Sequence, residues 1–136
     1  MLEIPLPEAL AALKGLGIEN FEITAEAGTD FAATAQMTAA AGVNITSFST
    51  GCTLDNPESL AALEGIIAGT ASVGTKVIFV SFGAGSLSYE QGIEVLRGLA
   101  EQAAAAGVVL SMETHVPFGN TGALARKTSG PGAKPN

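Results

Sequence analysis

The run Val108-Val109-Leu110-Ser111-Met112-Glu113-Thr114-His115 starts apolar and closes on a carboxylate and the only histidine of the chain. Side chains alternate between faces along a strand, so Val109, Ser111, Glu113 and His115 share one face. A strand that is greasy at its start and polar at its end suits a parallel-sheet enzyme, because ligands gather beyond the carboxyl ends of such strands. The chemistry on offer is that of a hard divalent cation. Glu113 is an oxygen ligand of the right kind, and His115 could contact the same ion or a substrate. The competing readings are a solvated strand terminus for Glu113 and an ordinary loop residue for His115.

Other residues offer weaker chemistry. Glu22 alternates with Phe21 and Ile23, so it shares a face with Asn20 and Thr24. It could bind a substrate hydroxyl or make a structural hydrogen bond. Ser49, Thr50 and Ser81 fall at the ends of predicted strands, where hydroxyls suit polyol recognition but are also common loop-starting residues. Cys52 is the only cysteine. It excludes an internal disulfide and a cysteine-based zinc site, and it reads as a small filler near a strand end rather than a nucleophile. Gly83-Ala84-Gly85-Ser86-Leu87-Ser88 imitates a dinucleotide-binding fingerprint. It lacks the last glycine and follows the third predicted strand, so it reads as a strand-to-helix loop.

The elements that must position these residues are marked by glycines at 17, 42, 74 and 107, each followed by a β-branched or apolar run. Their spacing of 25 to 33 residues fits a repeating strand–helix unit. A helix commonly ends on a left-handed residue, usually glycine, so each strand is expected to follow directly from a helix end. Strands are predicted at 17–24, 42–49, 76–82 and 108–114. Helices are predicted between them. Pro7 opens the first, where Leu6, Leu10 and Leu13 align, and the segment from Asp30 to Ala41 makes the second. Asn56-Pro57 caps the third, with Leu60, Leu63, Ile67 and Ala71 at helical spacing. Ser88 and Gln91 form a capping box for the fourth, with Tyr89, Ile93, Leu96 and Ala100 along one stripe. Regular alternation implies a parallel sheet with right-handed crossovers, apolar enough to be covered on both faces. Two architectures remain open on this pattern: a partial (β/α)8 barrel with its strands in sequential order, or an open doubly wound sheet.

The composition narrows the function classes. At 136 residues and 47% hydrophobic content the chain is one folded domain at most. Its 14% charged content is low, which points to surface normally covered by more protein. A net charge of −7 with six scattered basic residues, three of them Arg126, Lys127 and Lys134, disfavours nucleic acid as a partner. No apolar stretch is long enough to span a bilayer, and no secretory leader is evident, so a cytoplasmic, reduced setting is the default expectation.

The chain resembles the sugar phosphate isomerase/epimerase family, whose fold is the xylose-isomerase-like TIM barrel. The matching pieces, in order, are 13–23 (LKGLGIENFEI), 40–48 (AAGVNITSF), 73–78 (VGTKVI) and 107–115 (GVVLSMETH). The resemblance covers roughly residues 6 to 125 and divides the chain into a partial barrel domain, 1–125, and a non-homologous or disordered tail, 126–136. It implies a strand before Leu6 and three more after Glu113, and a chain that supplies half of a barrel of about 250 residues. The departure after Leu124 reads as a truncation or a shifted frame. The family binds a divalent ion (Mn, Mg, Co or Zn) through acidic and histidine ligands on its fifth to eighth strands. Glu113 matches the first of these; the Asp, His and Glu ligands of the later strands have no counterpart. The implied activity is isomerisation or epimerisation of a sugar, sugar phosphate or polyol by proton abstraction next to a carbonyl. On this view Glu113 is a metal ligand, His115 and Glu22 contact substrate, and the chain alone does not hold the ion stably. The alternative is a catalytically inert product, or a half barrel that self-associates through its two open sheet edges.

Overall fold

The computed structural model describes residues 4–113. Helices and strands alternate as α1 (Leu6–Gly15), β1 (Asn20–Thr24), α2 (Phe31–Ala41), β2 (Asn44–Thr53), α3 (Pro57–Ser72), β3 (Val77–Gly83), α4 (Tyr89–Ala105) and β4 (Val109–Met112). Three of the four helices start on a side-chain cap. Asp30 accepts from the Ala33 amide, Asn56 from those of Glu58 and Ser59, and Ser88 closes a reciprocal capping box with Gln91. The four marker glycines all adopt positive φ, from 71° to 81°. Gly42 illustrates the device: its amide reaches Ala39 O at 3.0 Å, the next amide reaches Thr38 O, and the chain leaves α2 aimed into β2.

The strands form one parallel sheet in the order β1-β2-β3-β4. Right-handed crossovers that always step in the same direction lay every helix on the same face. A doubly wound sheet would reverse its order at a switch point and carry helices on both faces. The observed sheet does neither, so it has the architecture of a barrel wall.

The register separates the two faces. On the helix side Ile23, Phe48, Ile78 and Leu110 run level across the sheet, followed by Val80, Cys52 and Phe82. These pack with Leu63, Ile66 and Ile67 of α3 and Leu99 and Ala103 of α4 in one core. Phe31 meets Phe48 edge to face at 4.9 Å, fixing the first turn of α2 on the sheet. The opposite face carries Glu22, Thr24, Ser47, Ser49, Gly51, Phe79, Ser81, Ser111 and Glu113, and none of these is fully buried. The sheet is therefore covered on one side, not on both as its apolar runs suggested.

Three further details differ from the sequence pattern. β2 runs to Thr53 rather than ending at Ser49, because Gly51, Cys52 and Thr53 pair with Ser81, Phe82 and Gly83 and the Cys52 side chain is buried. The register shifts between Phe21 and Glu22, making room for Thr46, whose hydroxyl donates to Phe21 O at 2.9 Å. In α4 the buried positions are Gly92, Leu99 and Ala103, whereas Tyr89 and Ala100 lie exposed.

Candidate functional site on the open face of the sheet

The polar residues gather at the carboxyl ends of the strands because the strand alternation that buries Phe48, Val80 and Phe82 must turn their neighbours to the other side. Here the open face holds two carboxylate–hydroxyl pairs. Glu22 Oε2 on β1 accepts from Ser47 Oγ on β2 at 2.7 Å. Glu113, immediately after β4, accepts a hydrogen bond from the Ser81 hydroxyl on β3, and its own amide donates to Val80 O at 2.9 Å. Between the pairs, Thr24 and Ser49 hydroxyls stand 3.4 Å apart. A concavity of about 630 Å³ over this face is bordered by Glu22, Thr24, Glu26, Ser49, Gly51, Phe79 and Ser81.

The two carboxylates are not brought together. Glu22 is level with Ser47, hence with Val77 on β3, four residues before the Ser81 that is level with Glu113. That separates them by about 13 Å along the strands, in addition to lying on the two edges of the sheet. Among the described residues no group of three or more His, Cys, Asp and Glu side chains is placed to hold a metal ion. His115 and Thr114 lie outside the described residues.

What the face can do chemically is recognise hydroxyl groups. The Glu22 carboxylate has about four acceptor positions and gives one to Ser47, so it can also accept from ligand hydroxyls. The serines orient the carboxylates from the neighbouring strands, and Phe79 offers an apolar floor beside them. Ser111 joins this set on the Glu113 face, as the strand alternation placed it, and Ser47 belongs to it although the sequence did not single it out. The period of two leads from Ser49 back to Ser47, but only the cross-strand register shows that Ser47 meets Glu22. Thr50 shares the strand face of the helix-facing Phe48 and Cys52, so by alternation only Ser49 and Ser81 of the three hydroxyls expected there belong to the open face, although Thr50 still borders the concavity.

The remaining candidates are structural. Burial pushes the Cys52 thiol above its ordinary range, partly offset by the Ser59 side chain, so it stays protonated and unreactive at neutral pH. Gly85 in the fingerprint-like loop has φ +61°, and a Cβ there would collide with the Asp55 carboxylate. Asp55 Oδ2 accepts from the Ser86 amide at 2.7 Å and the Ser86 hydroxyl at 2.8 Å. That loop therefore wraps around an aspartate from the neighbouring loop, which occupies the space a phosphate would need.

No protein-family model and no curated protein matches the sequence. Among solved structures, the chain is similar to a xylose isomerase domain protein from Planctomyces limnophilus, with a TM-score of 0.65 and 20% identity. The match covers 77% of this chain and 47% of that one, so the chain spans about half the length of its structural neighbour. The fold is that of a TIM barrel, represented by four strand–helix units. No helix among the described residues is long and apolar enough to cross a membrane.

Proposed function

We propose that the chain is part of the wall of a barrel that isomerises or epimerises a sugar, sugar phosphate or related polyol, within a domain covering residues 1–125. The reading is carried by one observation: a carboxylate at the carboxyl end of β4, oriented by Ser81, on a face lined with hydroxyls. Its implied reaction is proton abstraction next to a carbonyl, with a divalent ion (Mn, Mg, Co or Zn) supplying charge stabilisation when bound. Glu113 is the one ligand this chain would offer to that ion. The described residues do not complete a metal shell, so the part of the chemistry derivable from them is substrate binding. Glu22 would accept hydroxyls with Ser47 behind it, and Thr24, Ser49 and Ser81 would complete the contacts. His115 would contact substrate from beyond β4. The buried thiol suits a reducing, cytoplasmic setting, and the net charge of −7 weighs against nucleic acid as a substrate.

Amide NMR of the purified chain tests this. Addition of a ketose or ketose phosphate should shift amides at 22–26, 47–51 and 79–83, and Mn2+ should broaden signals around Glu113 in the wild type but not in Glu113→Gln. Shifts confined to the helix face, or broadening that ignores the substitution, reject the assignment. No turnover of either sugar is expected, since one carboxylate does not hold an ion in place. Turnover that Glu113→Ala abolishes would show that the chain has a complete centre after all.

A further inference from the structure

We propose that two copies of this chain close into a single eight-stranded parallel barrel about a twofold axis, β4 of each copy pairing with β1 of the other. The inference stands on the fold and not on the isomerase reading. It starts from the sheet edges. Among the described residues β1 pairs only with β2, and β4 only with β3. The amides of Val109, which opens β4, and of Glu113, which follows it, donate to Lys76 O just before β3 and to Val80 O within it, so alternation turns those of Leu110 and Met112 to the outer edge. In β1 the Ala25 amide that follows the strand donates to Ser49, so the amides of Glu22 and Thr24 face outward in the same way. The two edges are thus opposite halves of a parallel ladder, and their lengths of four and five residues match.

The apolar surface says what covers those edges. The large hydrophobic side chains that stand exposed are Ile4, Leu6, Leu16 and Ile18, on or beside α1 and in the turn leading to β1, together with Val109 and Met112 of β4. Among the described residues only Tyr89 lies elsewhere, and the interior elements β2, β3 and α3 carry none. Val109 is 62% exposed although it is an inward-facing strand residue. A second copy rotated by half a turn about the barrel axis keeps all strands parallel and gives the order β1-β2-β3-β4-β1-β2-β3-β4. It covers both edges at once through two identical junctions, and a closed isologous pair has no free edge left for further growth. The junction also sets Glu22 of one copy on the strand next to β4 of the other, so the lumen is built from both chains.

Sedimentation and light scattering on the full chain, with two edge variants, decide the matter. The wild type should have twice the 13.6 kDa mass of one chain. Met112→Pro removes an amide that faces the free edge without touching a β3 hydrogen bond, and Val109→Lys places a charge at the junction. Both should halve the mass with helical circular dichroism unchanged. If Met112→Pro fails to fold, Val109→Lys alone decides, since it alters an exposed side chain only. A compact wild-type monomer, an open-ended polymer, or a dimer indifferent to Val109→Lys overturns the proposal.

Discussion

Gly69 and Gly98 show at the residue scale how the same substitution takes opposite signs. Both sit inside helices, where alanine is favoured over glycine by about 1 kcal/mol. A Cβ at Gly98 meets nothing within 4 Å. A Cβ at Gly69 runs into the ring of Phe31, which cannot retreat freely because it is stacked edge to face on the fully buried Phe48. Overpacking of this kind costs about 1–3 kcal/mol, enough to exceed the helix gain. Urea denaturation should therefore find Gly98→Ala more stable than wild type by about 1 kcal/mol and Gly69→Ala less stable. Equal stabilisation by both would mean that Phe31 does not fill the notch in α3. The site shows the same dependence on neighbours. Glu22 and Glu113 stood out in the sequence by type and position, but their serine partners are 25 and 32 residues away and only pairing of the strands introduces them.

At the scale of elements, the loops that follow β2 and β3 are joined by Asp55 and Ser86. The Ser86 amide and hydroxyl hold the Asp55 carboxyl below the usual carboxylate range. A depressed folded-state pKa contributes stability that is present above the unfolded value near 3.9 and is lost as pH falls through the folded value. Thermal melts should thus fall in temperature as pH drops below about 4, and Asp55→Asn should flatten that part of the profile. The group is exposed, so the effect is small, and Glu19, held down by Lys14, pulls in the same direction. A wild-type slope unchanged in Asp55→Asn would assign the acid sensitivity to other carboxylates. The helices were legible in the sequence because their caps are local: Asp30, Asn56 and Ser88 bond within three residues of themselves. The far half of β2 was not, since Ser49-Thr50-Gly51 looks like a loop until β3 lies beside it.

For the whole molecule, a barrel wall whose two edge strands have no further strand partner among the described residues predicts that stability depends on protein concentration. A ligand that binds the folded state stabilises it by mass action, and a second copy is such a ligand. The melting temperature of the wild type should rise with concentration, whereas that of Val109→Lys should not. A wild-type melt independent of concentration would place the stability of the fold entirely within one chain. The sequential strand order behind this expectation followed from the glycine-marked repeat once the resemblance to an isomerase barrel was weighed. The one-sided sheet did not follow, because an apolar run reads the same whether helices cover one face or two.

By itself the sequence determined the number and order of the elements, since hydrophobic period, helix caps and left-handed glycines act over a few residues. It also marked Glu113 at the carboxyl end of a strand. Only the tertiary structure decided between sequential pairing and a doubly wound order, that every helix lies on one face, and that Glu22 and Glu113 stand at opposite edges with separate serine partners. Those outcomes depend on register and on the direction of each crossover. Both are set by contacts between residues 24 or more positions apart, which no local pattern encodes.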